Sequence, residues 1–261
     1  MIMCEGVPRM SANVRQDVHN SDVPVVCRSC EARHKGVCGG LSTTDLSLLA
    51  QATSKRVYPR GQEILAAGEK LERYSNILSG VVKLVKLLPD GRQQIVGLQF
   101  APDFVGQLYA DTSNISAEAA TDVRLCSFPK PLLEELAGKS PAVERRMLDQ
   151  TLRGLDDARD WMLTLGRKTA KEKVASFLLL IAAYSDPEQE AFEVPFTIEL
   201  PLKRIDIADY LSLTVETVCR QLTNLRKAGL IDVPDRRHIT ILDLETLQEL
   251  ADQYLLPVAT E

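Results

Sequence analysis

Four cysteines are spaced in a pattern that suits metal chemistry. Cys27, Cys30 and Cys38 form a C-x2-C-x7-C group near the start of the chain, and Cys126 lies far downstream. Thiolate sulfur is the ligand that iron–sulfur clusters use, and three near thiolates with one distant thiolate can fill four ligand positions. The sequence therefore predicts a [4Fe-4S] cluster held by these four residues.

Two other uses of the same cysteines remain open. Zinc can be held by the local set Cys27, Cys30, His34 and Cys38, whose C-x2-C-x3-H-x3-C spacing is close to that of a zinc knuckle. A thiol–disulfide redox switch would use some of the same sulfur atoms. The zinc alternative leaves Cys126 without a role, and the basic residues around the group suit a cluster of net negative charge.

The composition sets bounds on the class of protein. The chain has 261 residues, of which 45% are hydrophobic, and this is enough for two cores. No apolar run approaches the roughly 20 residues of a membrane span, and the start lacks a secretion-signal core, so we expect a cytoplasmic protein. In that compartment clustered cysteines favour metal or redox chemistry. The net charge of -5 requires any contact with DNA to come from a local patch.

The hydropathy pattern divides the chain into four segments, of which the first two precede a long helix. Residues 1–22, which include Cys4, are polar and without periodicity, as is typical of a flexible arm. Residues 23–140 carry the cysteine group and then short apolar runs separated by turn signals, which indicate a small antiparallel β-barrel. Within this segment, residues 81–88 alternate in character and turn back at 89–92, so they predict a hairpin.

The third segment, residues 141–185, is predicted to be a dimerisation helix. A helix of this length outruns a small barrel, so we expect its far side to pack against the same helix of a second copy, giving a homodimer. Packing of the helix on its own barrel is the alternative. The predicted seam repeats at alternating steps of three and four residues and consists of Leu148, Thr151, Leu155, Ala158, Met162 and Leu165.

The fourth segment, residues 186–261, is predicted to be a winged helix-turn-helix. A first helix is expected from Leu202 to Leu211, and a second helix from the N-cap Thr214 to a C-cap signal at Gly229. Two helices joined by a three-residue turn form a helix-turn-helix, and two apolar strands after them form a wing. The expected fold class is thus α+β, with a barrel, a dimerisation helix and a winged helix-turn-helix.

The exposed end of the second helix carries the residues predicted to read base pairs. Arg220 can donate two hydrogen bonds to guanine, and Glu216 can accept one from cytosine. Val215, Thr217 and Cys219 lie on the same end of the helix. Phosphate contacts are assigned to basic residues near the helix pair and in the wing: Lys203, Arg204, Arg226, Lys227, Arg236 and Arg237. An exposed ion pair between Glu216 and Arg220 without a reading role is the alternative.

The stretch from residue 207 to residue 220 resembles the recognition signature of the Crp/Fnr family of transcription regulators, in its Fnr and FixK members. In that signature glutamate is followed after two residues by serine and arginine, and here Glu216 is followed by Cys219 and Arg220. Val215 replaces the arginine of the cyclic-AMP receptor branch, which implies a palindrome of TTGAT-like half-sites. Cys219 departs from the usual serine. The resemblance covers residues from about 23 to 250.

The resemblance carries implications for fold and function. It implies a jelly-roll barrel like that of cyclic-nucleotide-binding proteins, and a cluster that stabilises a DNA-binding dimer until oxygen converts it. It also implies contact between the hairpin tip at 89–92 and RNA polymerase. We expect no cyclic nucleotide, because Gln107 replaces the acidic residue for the ribose and no arginine follows for the phosphate. A cluster-free, FixK-like regulator is the alternative function. The sequence contains neither a nucleophile motif nor a phosphate-binding loop, so we do not expect an enzyme.

Overall fold

The computed structural model describes residues 23–24, 27–28, 30–185 and 193–251. The predicted flexible arm at 1–22, with Cys4, lies outside the described residues. In the described part of the chain, no helix is long and apolar enough to cross a membrane.

The N-terminal half is a barrel of two antiparallel four-stranded sheets, as the turn signals predict. The strand order is β1-β8-β3-β6 in one sheet and β2-β7-β4-β5 in the other. Alternation along the strands places apolar side chains between the sheets, where they form the barrel core. The strands are β1 (Ser54–Tyr58), β2 (Glu63–Leu65), β3 (Arg73–Ser79), β4 (Val82–Leu87), β5 (Gln93–Gln99), β6 (Phe104–Val105), β7 (Ser116–Ala119) and β8 (Val123–Pro129).

Helices on the outside of the barrel join it to the cysteine segment. The order is α1 (Glu31–Lys35), a 3₁₀ turn (Val37–Gly40), α2 (Thr43–Gln51), then, after the barrel, α3 (Lys130–Lys139) and α4 (Pro141–Arg167). Apolar side chains of the 3₁₀ turn, α2, α3 and α4 meet the aromatic side chains of Tyr74 and Phe128, both fully buried, in a second core. This core fixes the start of α4 relative to the barrel.

The predicted helix at 141–185 is divided in two, which differs from the expectation of one continuous helix. Helix α4 ends at Arg167, and a second helix, α5, spans Ala170–Ser185. The division is explained by a capping box: the Glu172 carboxylate accepts from the Thr169 backbone N–H at 2.8 Å, and the Thr169 hydroxyl accepts from Glu172 N–H at 3.4 Å. Helix α5 is buried around most of its circumference, so it belongs to the C-terminal core.

The C-terminal domain contains the predicted helix-turn-helix and wing. Helices α6 (Arg204–Leu211) and α7 (Val215–Lys227) are followed by β10 (Ile231–Asp232), β11 (His238–Ile241) and α8 (Leu244–Ala251). One strand was not expected from the sequence: β9 (Phe196–Glu199) pairs with β11, which makes the wing sheet three-stranded among the described residues. The α+β fold class is confirmed.

We expect Leu125→Ala to lower the free energy of unfolding by about 2–5 kcal/mol, because the substitution leaves a cavity in the barrel core. Leu125 is 1% exposed on the doubly paired strand β8. The matched control is Leu87→Ala, since Leu87 is 67% exposed at the end of β4 and should change stability by less than about 0.5 kcal/mol. Urea titration followed by circular dichroism measures both, and equal losses would contradict the assigned core.

Candidate nucleic-acid interface and cysteine site

Helix α7 is fixed in place by one buried stripe and by caps at both ends. Val218, Leu222 and Leu225 are buried against the domain core, as the i, i+4, i+7 spacing predicts. The Thr214 hydroxyl accepts a hydrogen bond from the backbone N–H of Thr217 at 3.2 Å, which confirms the predicted N-cap. The opposite face of the helix is therefore turned outward in a defined orientation.

The outward face carries the predicted base-reading residues. Val215, Glu216, Cys219 and Arg220 are all exposed, whereas Thr217 is half-buried and contributes to the N-terminal cap. The predicted alternative, an ion pair between Glu216 and Arg220, is present with 3.9 Å between carboxylate and guanidinium. Such an exposed pair contributes about 1 kcal/mol or less. Both side chains are thus free to turn toward a base edge at little energetic cost.

The basic residues predicted to contact phosphate lie at the end of α7 and at the tip of the wing. Arg226, Lys227, Arg236 and Arg237 are exposed. The wing tip is ordered by Asp235, a residue that the sequence analysis did not single out, although aspartate after proline is a turn signal. Its carboxylate accepts from the backbone N–H of Arg237 at 2.6 Å and from His238. These hydrogen bonds lower the pKa of Asp235 to about 2.

Of the two basic residues at the start of α6, Lys203 and Arg204, only Lys203 is fully available to a phosphate. Lys203 is exposed. Arg204 is half-buried, burial lowers the pKa of its guanidinium, and Cys219 lies close enough to act on it electrostatically. The structure therefore places Arg204 beneath the recognition helix, which a count of charges along the sequence does not reveal.

The structure places the four cysteines of the predicted metal site within electrostatic reach of one another. Cys126 on β8 lies within electrostatic reach of Cys27 and Cys30, and Cys38 within reach of the other three. All four are partly buried and free of disulfides. From β3, the Asn76 side-chain amide donates a hydrogen bond to Cys38 Sγ at 3.3 Å. The N-terminal segment thus lies against the barrel sheet that carries Cys126.

Burial favours the protonated thiol at three of the four cysteines, Cys27, Cys38 and Cys126. It raises the pKa of Cys38 to about 12 and that of Cys126 to about 11, and the neighbouring thiols add to both increases. Burial and Cys30 also raise the pKa of Cys27. Because a metal binds the thiolate, loading of this site would release protons and would become stronger as the pH rises.

The donor set fits four-thiolate chemistry, although the site is open. Among the described residues, no three cysteine, histidine or carboxylate side chains stand close enough to enclose a metal ion. Two cations adjoin the group: Lys55 pairs with Cys126 across β1 and β8, and Arg33 acts on Cys27. Positive charge of this kind offsets the net negative charge of an iron–sulfur cluster with four thiolates. Ligation would require the sulfurs to move closer together.

The 3₁₀ turn that carries Cys38 is packed closely against the start of α4. A Cβ at Gly40 would lie only 2.7 Å from the carbonyl oxygen of Ala142, so the position accepts glycine and no larger residue without a shift. Val37 of the same turn is 1% exposed and shares a core with Val143. The cysteine site is therefore in direct contact with the first turn of α4.

The middle of α4 presents an apolar face to the outside of the chain. Every residue from 151 to 160 is exposed. Of the predicted seam, Leu148, Thr151, Leu155, Ala158 and Met162 are exposed, and Leu165 is half-buried. The large apolar side chains that α4 exposes include two residues beside that seam, Leu152 and Leu163. A stripe of this size on a protein surface is typical of an interface.

A barrel that packs against a winged helix-turn-helix, with a long helix between them, is the architecture of a multidomain DNA-binding protein. Comparison with known proteins supports this class. Residues 172–250 match the Crp-like helix-turn-helix domain, and residues 55–140 match the cyclic nucleotide-binding domain.

Three similar proteins each match between 78% and 90% of this chain. A "Probable transcriptional activator" of Rhizobium leguminosarum bv. viciae is 50% identical over 90% of this chain and 97% of that protein. The transcriptional activator protein FnrL of Cereibacter sphaeroides is 40% identical over 88% of this chain and 94% of that protein. The structure of FixK2 from Bradyrhizobium japonicum gives a TM-score of 0.69 at 32% identity, covering 78% of this chain and 98% of that one.

The chain belongs to the Crp/Fnr family of transcription regulators, which confirms the resemblance seen in the sequence. It is a DNA-binding regulator of a family whose members act as dimers.

We expect Arg220→Ala to weaken binding to a specific duplex by roughly tenfold or more per half-site, because each good base contact contributes about 1–3 kcal/mol of discrimination. Binding to a random duplex should change little. Lys227→Ala is the matched comparison at a predicted phosphate contact. It should weaken binding to both duplexes alike and lower the slope of log affinity against log salt concentration by about one. Fluorescence anisotropy over a salt series separates the two, and a uniform loss in Arg220→Ala would remove its base-reading role.

Proposed function

We propose that this protein is an oxygen-responsive transcriptional activator with a [4Fe-4S] cluster held by Cys27, Cys30, Cys38 and Cys126. One observation supports the proposal above others: the four thiols lie within electrostatic reach of one another, and the turn that carries Cys38 is packed on the start of α4. A change at the sulfurs is therefore adjacent to the helix with the exposed apolar face. Since the target is DNA, the proposed site of action is the cytoplasm.

The residues of this chain can transmit the state of the thiols to the dimer. A [4Fe-4S] cluster would be held by these four thiolates and would supply redox chemistry at this position. Ligation by all four thiolates would hold the N-terminal segment against β3 and β8, where Asn76 already contacts Cys38. The 3₁₀ turn at Val37–Gly40 then supports Ala142 and Val143 in the first turn of α4. Loss of ligation releases this support and weakens the dimer.

In the proposed dimer, the α4 seams of two copies face each other. The seam consists of Leu148, Thr151, Leu155, Ala158, Met162 and Leu165. Pairing along it holds two α7 helices about one turn of DNA apart, which suits a palindrome of TTGAT-like half-sites. By family analogy the exposed hairpin tip at 89–92 contacts RNA polymerase.

The barrel is proposed to act without a cyclic nucleotide, although the matching domain family is named for that ligand. Gln107 occupies the place of the acidic residue that would bind the ribose. The loop that follows is held by the protein itself: the Tyr74 hydroxyl accepts from the Tyr109 backbone N–H at 2.9 Å, and Lys130 Nζ donates to the carbonyl oxygen of Ala110 at 2.6 Å.

Two alternatives have specific support. The similarity to FixK2 and the open arrangement of the thiols favour a cluster-free, FixK-like regulator. Zinc or a thiol switch at Cys27, Cys30 and Cys38 is the other alternative. His34, the fourth zinc ligand in that alternative, is exposed on α1, whereas Cys126 interacts with the N-terminal thiols. This difference favours the four-cysteine set over the local zinc set.

We expect anaerobic reconstitution to give a brown protein with about four irons and four sulfides per chain. Cys126→Ser should abolish the cluster as completely as Cys27→Ser, because each removes one of four ligands. The control is Cys219→Ser, which removes an exposed thiol on α7 and should leave iron content unchanged. Absorption spectra with iron and sulfide assays measure the outcome. A full cluster in Cys126→Ser would exclude the proposed ligand set, and colourless protein with one zinc would favour the alternative.

We expect Leu155→Glu to make the anaerobic protein monomeric, with a dimer dissociation constant raised at least about 100-fold, because it places like charges in an apolar seam. Affinity for a palindromic duplex should fall in parallel. The control is Leu87→Glu, which adds the same charge at an exposed leucine of the barrel. Sedimentation velocity measures the assembly state, and a stable Leu155→Glu dimer would exclude α4 as the interface.

A further inference from the structure

Strand β5 of the barrel lies against α6, the first helix of the helix-turn-helix, and supplies hydrogen bonds to its C-terminal end. The last carbonyl groups of a helix have no partner within the helix. Here the Gln94 side-chain Nε2 donates to the carbonyl oxygens of Asp209 and, at 3.4 Å, Tyr210. The cap of this helix therefore comes from a residue more than a hundred positions earlier in the chain.

The same glutamine reaches the turn between α6 and α7. Ser212 begins that turn in a left-handed conformation, with φ of 52°, which is uncommon for residues other than glycine. Its hydroxyl donates to Gln94 Oε1 at 3.0 Å. Gln94 thus contacts both the end of α6 and the residue that sets the direction of α7.

The other end of α6 is tied to the barrel by an ion pair. Lys83 on β4 is 7% exposed, and its Nζ lies 2.8 Å from the Asp206 carboxylate and 3.0 Å from that of Glu118 on β7. Asp206 also accepts from the backbone N–H of Lys203, at the N-cap of α6. A buried lysine between two carboxylates is costly to separate from them, because each group would lose its partner.

From these contacts we infer that Gln94 and Lys83 are positioning residues for DNA binding: the β4–β5 hairpin holds α6 at both ends and so sets the angle at which α7 meets the DNA. Neither residue lies on the predicted DNA-contacting face. The inference does not depend on what the cysteines bind, because it uses contacts between the barrel and α6 alone.

The chain contains its own reporter for the position of α6. Trp161, the single tryptophan of the sequence, lies on α4 and stacks on Tyr210 of α6 with ring centroids 3.9 Å apart. A movement of α6 away from its position against the barrel changes the surroundings of this indole. Its fluorescence emission can therefore be read without DNA and without reference to the half-site sequence.

The test uses the full chain, purified without oxygen, in two variants with one control. Gln94→Ala removes the cap, and we expect about fivefold faster hydrogen exchange at the amides of Ser212 and Leu213, since a hydrogen bond contributes about 1 kcal/mol. Trp161 emission should shift, and affinity for a duplex of two TTGAT half-sites should fall about five- to tenfold with an unchanged salt slope. The control is Gln99→Ala on the same strand, whose side chain instead donates to Phe104 within the barrel.

Lys83→Met provides the second variant, and Lys83→Arg its conservative counterpart. The methionine variant should shift Trp161 emission and weaken DNA binding about tenfold or more, and the arginine variant should restore both. Exchange in β3 and β8 should stay as in the wild type, which shows that the barrel is intact. The inference is overturned if Gln94→Ala and Lys83→Met keep DNA affinity within twofold, or if affinity falls while Trp161 emission and exchange at the turn do not change.

Discussion

Strand β8 is paired on both sides, with β1 and with β3, and the other parts of the molecule depend on this pairing. It places Cys126 beside Asn76, so that the N-terminal cysteines have a partner on the barrel wall. It also leads directly into α3 and, through one further turn, into α4. The backbone hydrogen bonds of an interior strand are satisfied on both edges, which makes it the least mobile support that a small barrel can offer.

Each functional element is completed by a group from a distant part of the chain. Cys38 receives its hydrogen bond from Asn76 on β3, and the first turn of α4 fits closely against Gly40. Helix α6 takes its C-terminal hydrogen bonds from Gln94 on β5. Since these contacts cross segment boundaries, a displacement of one segment reaches the next without a long chain of intermediates. The geometry thus links the thiols, α4 and the helix pair through short steps.

Patterns in the sequence predicted the elements that are defined by residues close together in the chain. The stripe Val218, Leu222 and Leu225 and the cap at Thr214 defined α7, and alternation with a turn defined the β4–β5 hairpin. The end of α4 had a local signal as well, the Thr169-x-x-Glu172 capping box, which the longer helical periodicity obscured. Strand β9 and the cap from Gln94 had no local signal in the sequence, because both exist only through pairing with remote residues. The ligand set and the α4 seam stay predictions.

The exposed stretch of α4 from residue 151 to residue 160 connects the concentration of the protein with dimerisation and DNA binding in the proposed dimer. In the proposed dimer this stretch gains most of its burial from a second copy, so the stability of the helix depends on protein concentration. At low concentration, occupancy of a palindromic site rises with the square of the number of chains. A cell that doubles synthesis of such a regulator would then raise promoter occupancy about fourfold. In the proposed dimer, expression level is thus an input of its own, which acts through α4.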